Sequence, residues 1–311
     1  QMKAILFPGQ GSQIVGMGSE FYNNFSTVKD LFAEADEILK FKISKIILEG
    51  PESDLRLTQN TQPSILLVSY SIFTILKNEF NFNLEKVKYF AGHSLGEYSA
   101  LLCAGSLSFQ DSLYLLFERG KSMQEAVPIG EGGMLAILGS DIVEINNYMH
   151  EVQSKGICEV ANDNAHGQII ISGNIETIEE LKNILKKNKK KCISLPVSAP
   201  FHCSLMNPAA IKMKAKIDVV KFKKPDFDII SNVTALPVGS PEDIKKTLVQ
   251  QIYSKVRWRE SIVFMGEKKV QEFIEIGPGK VLTGLVKRII PNSNSFSINT
   301  IDDIKSMKNE S

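Results

Sequence analysis

The feature that most constrains this chain is a junction. A hydrophobic run predicted as a strand over 87–91 enters Gly92-His93-Ser94-Leu95-Gly96, and a helix predicted to run to Ala104 follows and stops at Gly105. A strand that hands over to a helix through so short a turn belongs to an α/β layer, in which helices return the chain to parallel strands. The same rhythm recurs elsewhere. A strand over 3–7 ends in Pro8-Gly9-Gln10-Gly11-Ser12-Gln13, and helices are predicted over 28–39 and 111–126. Another helix starts after Thr61-Gln62-Pro63, with Pro63 in its first turn, and runs through Leu76. Beyond residue 197 the pattern gives a helix over 209–219, strands over 229–231 and 271–275, and a helix over 281–287 after Ile276-Gly-Pro-Gly279. Runs of Ile, Val and Leu without strict alternation indicate strands buried on both faces, hence a mostly parallel sheet.

Between Gly132 and Pro196 the rhythm changes. Strands are predicted over 134–138, 157–161, 168–172 and 191–195, with helices over 141–155 and 175–187. This is the β-α-β-β-α-β order of a ferredoxin-like unit. Glycine-rich Gly130-Glu-Gly-Gly133 precedes it, and Pro196 and Pro200 follow. We therefore expect a small domain, 131–196, inserted into a larger α/β domain made of 1–130 and 197–311.

Composition excludes several classes. The 311 residues carry 36 Lys+Arg against 35 Asp+Glu, a net charge of +1. That balance argues against bulk nucleic-acid binding, and 43% hydrophobic content argues against a disordered chain. The longest apolar stretch, 65–76, is interrupted by Ser69, Tyr70, Ser71 and Thr74, and at ~1.5 Å per residue it is too short for a ~30 Å bilayer core. Residues 1–7 show no signal-peptide pattern, so a cytoplasmic protein is expected. Cys103, Cys158, Cys192 and Cys203 never form C-x-x-C, so no metal site is expected. With no long exposed apolar patch evident, a monomer is the default.

Gly92-His93-Ser94-Leu95-Gly96 matches G-x-S-x-G between a strand and a helix, the context of a nucleophile elbow. The alternative is a serine in an ordinary strand–helix turn. A serine hydroxyl needs a base to take its proton. Of the four histidines, His93 lies inside the elbow, His150 on the polar side of a helix, and His166 in a polar turn over 162–167. His202, in a Pro-bearing loop just after the small domain, is the best placed, although a surface or structural histidine is the alternative.

Taken together, the residues resemble the malonyl-CoA:acyl-carrier-protein transacylase family of bacterial fatty-acid synthesis. The resemblance covers nearly the whole chain. It rests, in order, on Phe7-Pro-Gly-Gln-Gly-Ser-Gln13, Gln59-Asn-Thr-Gln-Pro63, Gly92-His-Ser-Leu-Gly-Glu97 and Glu118-Arg-Gly120. It continues through Asn162 to Gly173, Pro200-Phe-His-Cys203, Gln251 with Arg257-Trp258, and Glu275-Ile-Gly-Pro-Gly-Lys-Val-Leu282. The resemblance implies an α/β-hydrolase-like domain with a ferredoxin-like insert. It also implies roles: Ser94 as nucleophile, His202 as base, and the Gln251 carbonyl as orienter of the histidine. The N–H groups of Gln10 and Leu95 would form the oxyanion hole, and Arg119 would hold the malonyl carboxylate. Gln62 and Asn162 would line the pocket, and Phe201 would crowd out a branched methylmalonyl group. The implied reaction is ping-pong, from coenzyme A thioester to malonyl-serine to the phosphopantetheine thiol of acyl carrier protein, with no metal or redox cofactor.

From Lys182 to Lys224 there are twelve lysines and one acid, Asp218, so this window carries +11 and the remainder −10. The expectation is that part of it steers the acidic carrier protein and the CoA phosphates to the site. The alternative is a solvated face that aids solubility. Three rival readings are an acyltransferase serving a polyketide synthase, a serine esterase or thioesterase on the same elbow, and a non-catalytic binding or scaffold protein that kept the fold, against which the intact Ser94, His202 and Arg119 count. Arg119 disfavours the esterase, because a neutral acyl chain has no use for a cation.

Overall fold

The computed structural model describes residues 1–310. Its strands are β1 (Met2–Phe7), β2 (Val87–Gly92), β3 (Gly132–Leu138), β4 (Cys158–Ala165), β5 (Gln168–Asn174), β6 (Lys191–Ser194), β7 (Asp228–Ile230), β8 (Pro237–Val238), β9 (Val270–Ile276) and β10 (Asn294–Ile298). The large sheet has the order β10-β9-β1-β2-β7-β8; among the described residues its pairs are parallel except β7–β8, which is antiparallel. The central strands are buried along most of their length, as their continuous apolar sequence requires.

The second sheet has the order β4-β5-β3-β6 and is antiparallel throughout. Helices Ile142–Val152 and Ile175–Lys187 pack a core of their own with Leu135, Ile137, Ile169 and Ile171. Alternation sends Met134 and Ile170 to the other side, where they join the main core. The two bodies are also stitched through Val256. It bridges Asn162, donates from its N–H to the Ala161 carbonyl at 2.8 Å and accepts from Asp163 N–H at 3.0 Å. Arg259 adds an ion pair to buried Asp163 at 2.8 Å.

Two local expectations change. The helix expected to open at Pro63 instead spans Thr58–Asn78, with Pro63 inside it. The cause is tertiary. A Cβ on Gly120 would lie 2.5 Å from the Thr58 carbonyl oxygen, so helix Phe109–Glu125 presses directly on this first turn. The segment over 162–167, read as a polar turn, is strand β4 as far as Ala165, with register breaks beside Asn162 and between Asp163 and Ala165. Its polar residues are tolerated in a strand because they find partners, Asp163 in Arg259 and Asn164 in His93. Among the described residues, no helix is long and apolar enough to cross a membrane, and no cluster of three or more His, Cys, Asp or Glu could hold a metal ion.

Candidate active site

The junction between β2 and helix Gly96–Cys103 is as tight as its sequence suggests. A Cβ on Gly92 would lie 1.9 Å from the Gly96 backbone, and one on Gly96 would lie 2.3 Å from the Phe7 carbonyl oxygen. Both glycines are therefore sterically required. Between them Ser94 has φ 55°, the left-handed region, which costs an L-residue about 1–2 kcal/mol. This strained turn lifts the Ser94 side chain out of the sheet and leaves it partly exposed.

The hydroxyl of Ser94 lies 2.8 Å from His202 Nε2. On the far side of the ring, His202 Nδ1 lies 2.8 Å from the Gln251 carbonyl oxygen. A carbonyl can only accept, so Nδ1 carries the proton and Nε2 presents its lone pair to the serine. His202 is 4% exposed, and burial first, then the Arg119 charge, pull its pKa down to about 3. The ring is thus a neutral acceptor at physiological pH.

Arg119 projects from helix Phe109–Glu125 and is fully buried. Its Nη2 donates to Ser94 Oγ at 3.2 Å and to Gln251 Oε1 at 2.6 Å, and its Nη1 donates to Gln62 Oε1 at 2.8 Å. Its guanidinium carbon stands 5.6 Å from the centre of the Tyr98 ring, and its Nε has no hydrogen-bond partner among the described residues. Among the described residues no carboxylate forms an ion pair with it. A buried guanidinium held by neutral amide oxygens beside a serine has the planar donor geometry that suits a carboxylate. The nearest acid in the network is Glu97, 2% exposed, whose pKa burial raises to about 7. Its Oε1 accepts from Asn232 N–H at 2.6 Å and from Gln251 Nε2 at 3.2 Å.

The structure therefore brings Ser94, His202, Arg119, Gln62 and Gln251 into one hydrogen-bonded set. Gln62 does not merely line a wall; it clamps the guanidinium. The amide N–H groups of Gln10 and Leu95 donate to no acceptor among the described residues, whereas that of Ser94 is engaged by Asn232 Oδ1 at 2.8 Å. Gly9, beside Gln10, packs on the elbow so closely that a Cβ there would lie 2.5 Å from the His93 carbonyl oxygen. Asn162 is buried and bridges Val256 through its backbone; Asn164 is the residue that meets the elbow, 2.8 Å from His93 Nε2. Phe201 is buried next to His202, its carbonyl accepting from Ser172 Oγ at 2.5 Å. His93 is turned toward Asn164 and the Trp258 ring, 5.4 Å away. Sequence reasoning missed Asn232 and gave Glu97 no role. The only available signal for Glu97 was its place in the elbow motif; Asn232, in Ser231-Asn-Val-Thr234, carried none.

The lysine window is less positive in space than in sequence. Lys190 pairs with Glu144, Lys212 with Glu125 at 3.8 Å, Lys214 with Asp218 at 2.6 Å and Lys216 with Glu118 at 3.5 Å.

The family model described as "Acyl transferase domain" matches residues 5–306. The malonyl CoA-acyl carrier protein transacylase of Bacillus subtilis (strain 168) is 44% identical over 311 residues, covering 97% of this chain and 95% of that protein. Among solved structures, the acyl-carrier-protein-S-malonyltransferase of Bartonella henselae superposes with a TM-score of 0.96 at 41% identity, over 100% of this chain and 99% of that one. A type II PKS acyl-carrier protein in complex with its malonyl-transacylase gives a TM-score of 0.96 at 38% identity, over 100% of both chains.

Proposed function

Because the chain belongs to the acyl transferase family and, within it, to the malonyl CoA-acyl carrier protein transacylases, we propose that it moves malonyl from coenzyme A to acyl carrier protein through an ester on Ser94. The observation that carries this reading is the buried Arg119, which forms no ion pair among the described residues and lies 3.2 Å from Ser94 Oγ. It also disfavours an esterase for neutral acyl chains.

His202 Nε2 takes the Ser94 proton as Oγ attacks the thioester carbonyl. The oxyanion forms between the free N–H groups of Gln10 and Leu95. Collapse breaks the C–S bond, and the imidazolium returns its proton to the departing CoA thiolate. The pantetheine thiol of the carrier protein then gives its proton to His202 and attacks the ester, and Ser94 leaves with that proton. The Gln251 carbonyl stabilises the imidazolium formed in each half-reaction. Arg119 holds the malonyl carboxylate throughout, backed by Gln62 and Gln251. No metal or redox cofactor takes part in these steps.

The finer assignments follow the same reading. The catalytic body is α/β-hydrolase-like, formed by 1–130 and 197–311, and 131–196 is a ferredoxin-like insert; the strand order β4-β5-β3-β6 supports the latter. Phe201 and Asn162 shape the acyl pocket, Phe201 against branched acyl groups. Lysines of the 182–224 window that lack ion pairs, Lys186, Lys187, Lys189 and Lys191 on the insert among them, receive the acidic carrier protein. The protein works as a cytoplasmic monomer. Initial-rate kinetics test the scheme. With malonyl-CoA and holo-carrier protein varied together, a ping-pong enzyme gives parallel double-reciprocal lines; intersecting lines would require a ternary complex and refute the ester.

A further inference from the structure

The site contains a residue that touches no substrate in the scheme above yet hydrogen-bonds the elbow at both Gly92 and Ser94. Strand β7 runs parallel to β2 with Tyr89 opposite Asp228, Phe90 opposite Ile229 and Ala91 opposite Ile230. Continuing that register past the strand ends brings Asn232 abreast of the elbow. Its side-chain amide is used at both ends. Nδ2 donates to the Gly92 carbonyl at 2.8 Å, and Oδ1 accepts from Ser94 N–H at 2.8 Å and from Gln251 Nε2 at 3.1 Å. Its own N–H is anchored on buried Glu97 at 2.6 Å. The residue is fully buried, so water does not substitute for any of these bonds.

We propose that Asn232 is a positioning residue for the transfer reaction: by capturing the Ser94 N–H it holds the serine peptide in its left-handed conformation and leaves the next amide, Leu95 N–H, free for the oxyanion. Asn232 engages the first of two consecutive N–H groups, and the second, that of Leu95, has no acceptor among the described residues. The short amide fits the task because one planar group must donate to Gly92 and accept from Ser94; Asp has no donor, and Ser has too short a reach. Through Gln251 the same oxygen also ties the nucleophile to the backbone that orients His202 and to the clamp on Arg119.

The inference rests on the serine-ester reading, so its test separates the two. Full-length wild type, Asn232→Ala and Asn232→Asp are treated with phenylmethylsulfonyl fluoride, a probe of serine reactivity that needs no carboxylate receptor, and separately with malonyl-CoA in rapid quench. Ser94 modification is read by intact mass, and malonyl-CoA affinity is measured for each variant in a Ser94→Ala background. A displaced reacting group costs on the order of a hundredfold. Asn232→Ala is therefore expected to slow both modifications by about 30- to 100-fold with malonyl-CoA affinity nearly unchanged. Asn232→Asp keeps the acceptor for Ser94 N–H and should recover about tenfold over alanine. Wild-type rates in Asn232→Ala, or equal loss in the alanine and aspartate variants, overturn the inference. Should the alanine variant fail to fold, the isosteric aspartate decides alone: sulfonylation as slow as in Ser94→Ala overturns it. If wild type is sulfonylated at Ser94 but never malonylated, the malonyl reading fails while the Asn232 comparison remains readable.

Discussion

Replacing Arg119 by alanine should change what the enzyme accepts more than whether it works. The guanidinium is fully buried, and Gln62 Oε1 and Gln251 Oε1 hold it at 2.8 and 2.6 Å. Without it, a bound malonyl carboxylate lies in the same desolvated space with no cation. Leaving one member of a buried charge pair unpartnered costs about 3–5 kcal/mol. At about 1.4 kcal/mol per tenfold, kcat/KM for malonyl-CoA should fall by about a hundred- to several-thousandfold. Acetyl-CoA brings no carboxylate, so its rate should hold or rise. Stability moves in two directions at once. Two glutamine oxygens lose a donor, at about 1–3 kcal/mol each, while a buried cation without a counter-ion disappears. A thermal melt alongside the rates keeps folding out of the comparison. The assay is transfer to holo-carrier protein from malonyl-CoA and acetyl-CoA in parallel. Equal losses for the two substrates would mean that Arg119 is part of the scaffold and not the receptor, and the reasoning would fall.

Other outcomes follow from the same geometry. His202 has its folded pKa lowered from 6.5 to about 3, so the unfolded chain binds the proton first. Stability is therefore complete above pH 6.5 and is lost toward pH 3 at up to about 1.4 kcal/mol per pH unit, a slope that denaturant melts of His202→Asn should lack. Gly96→Ala puts a Cβ 2.3 Å from the Phe7 carbonyl oxygen, backbone against backbone, and should cost about 3 kcal/mol or more by urea melt; a urea midpoint unchanged within error would contradict the packing. Charge reversal at Lys186, Lys187, Lys189 and Lys191 should slow the carrier-protein half-reaction and flatten its salt dependence, while reversal at the ion-paired Lys212 and Lys214 should do less.

What the sequence revealed, and what it hid, divides along physical lines. The elbow was legible because its determinants are local: two glycines and a serine between a strand and a helix. The β-α-β-β-α-β order was legible because hydrophobic periodicity is local too. Relations across the chain were not. His202 Nε2 meets a serine 108 positions away, and only its loop setting and the resemblance to relatives marked it. Gln251 lies in helix Pro241–Tyr253, which was not anticipated, and its position came from the resemblance to relatives and not from any pattern of its own. Asn232 and Glu97 act through hydrogen bonds to backbone 140 and 135 positions distant, and such bonds leave no mark on composition or period. The polar run 162–165 was misread for the same reason, since Arg259 and His93 supply its partners from elsewhere. The lysine excess was countable along the chain, but its partial neutralisation by Glu118, Glu125 and Glu144 was not.

The central claim is that Ser94 carries the malonyl group between the two thiols, and intact-mass spectrometry tests it directly. Mixing wild type with excess malonyl-CoA should add a single malonyl group, mapped by peptide analysis to Ser94, and holo-carrier protein should then remove it as it becomes malonylated itself. Ser94→Ala should gain nothing. A malonyl adduct on any other residue, no adduct at all, or an adduct that the carrier protein cannot discharge would contradict the mechanism.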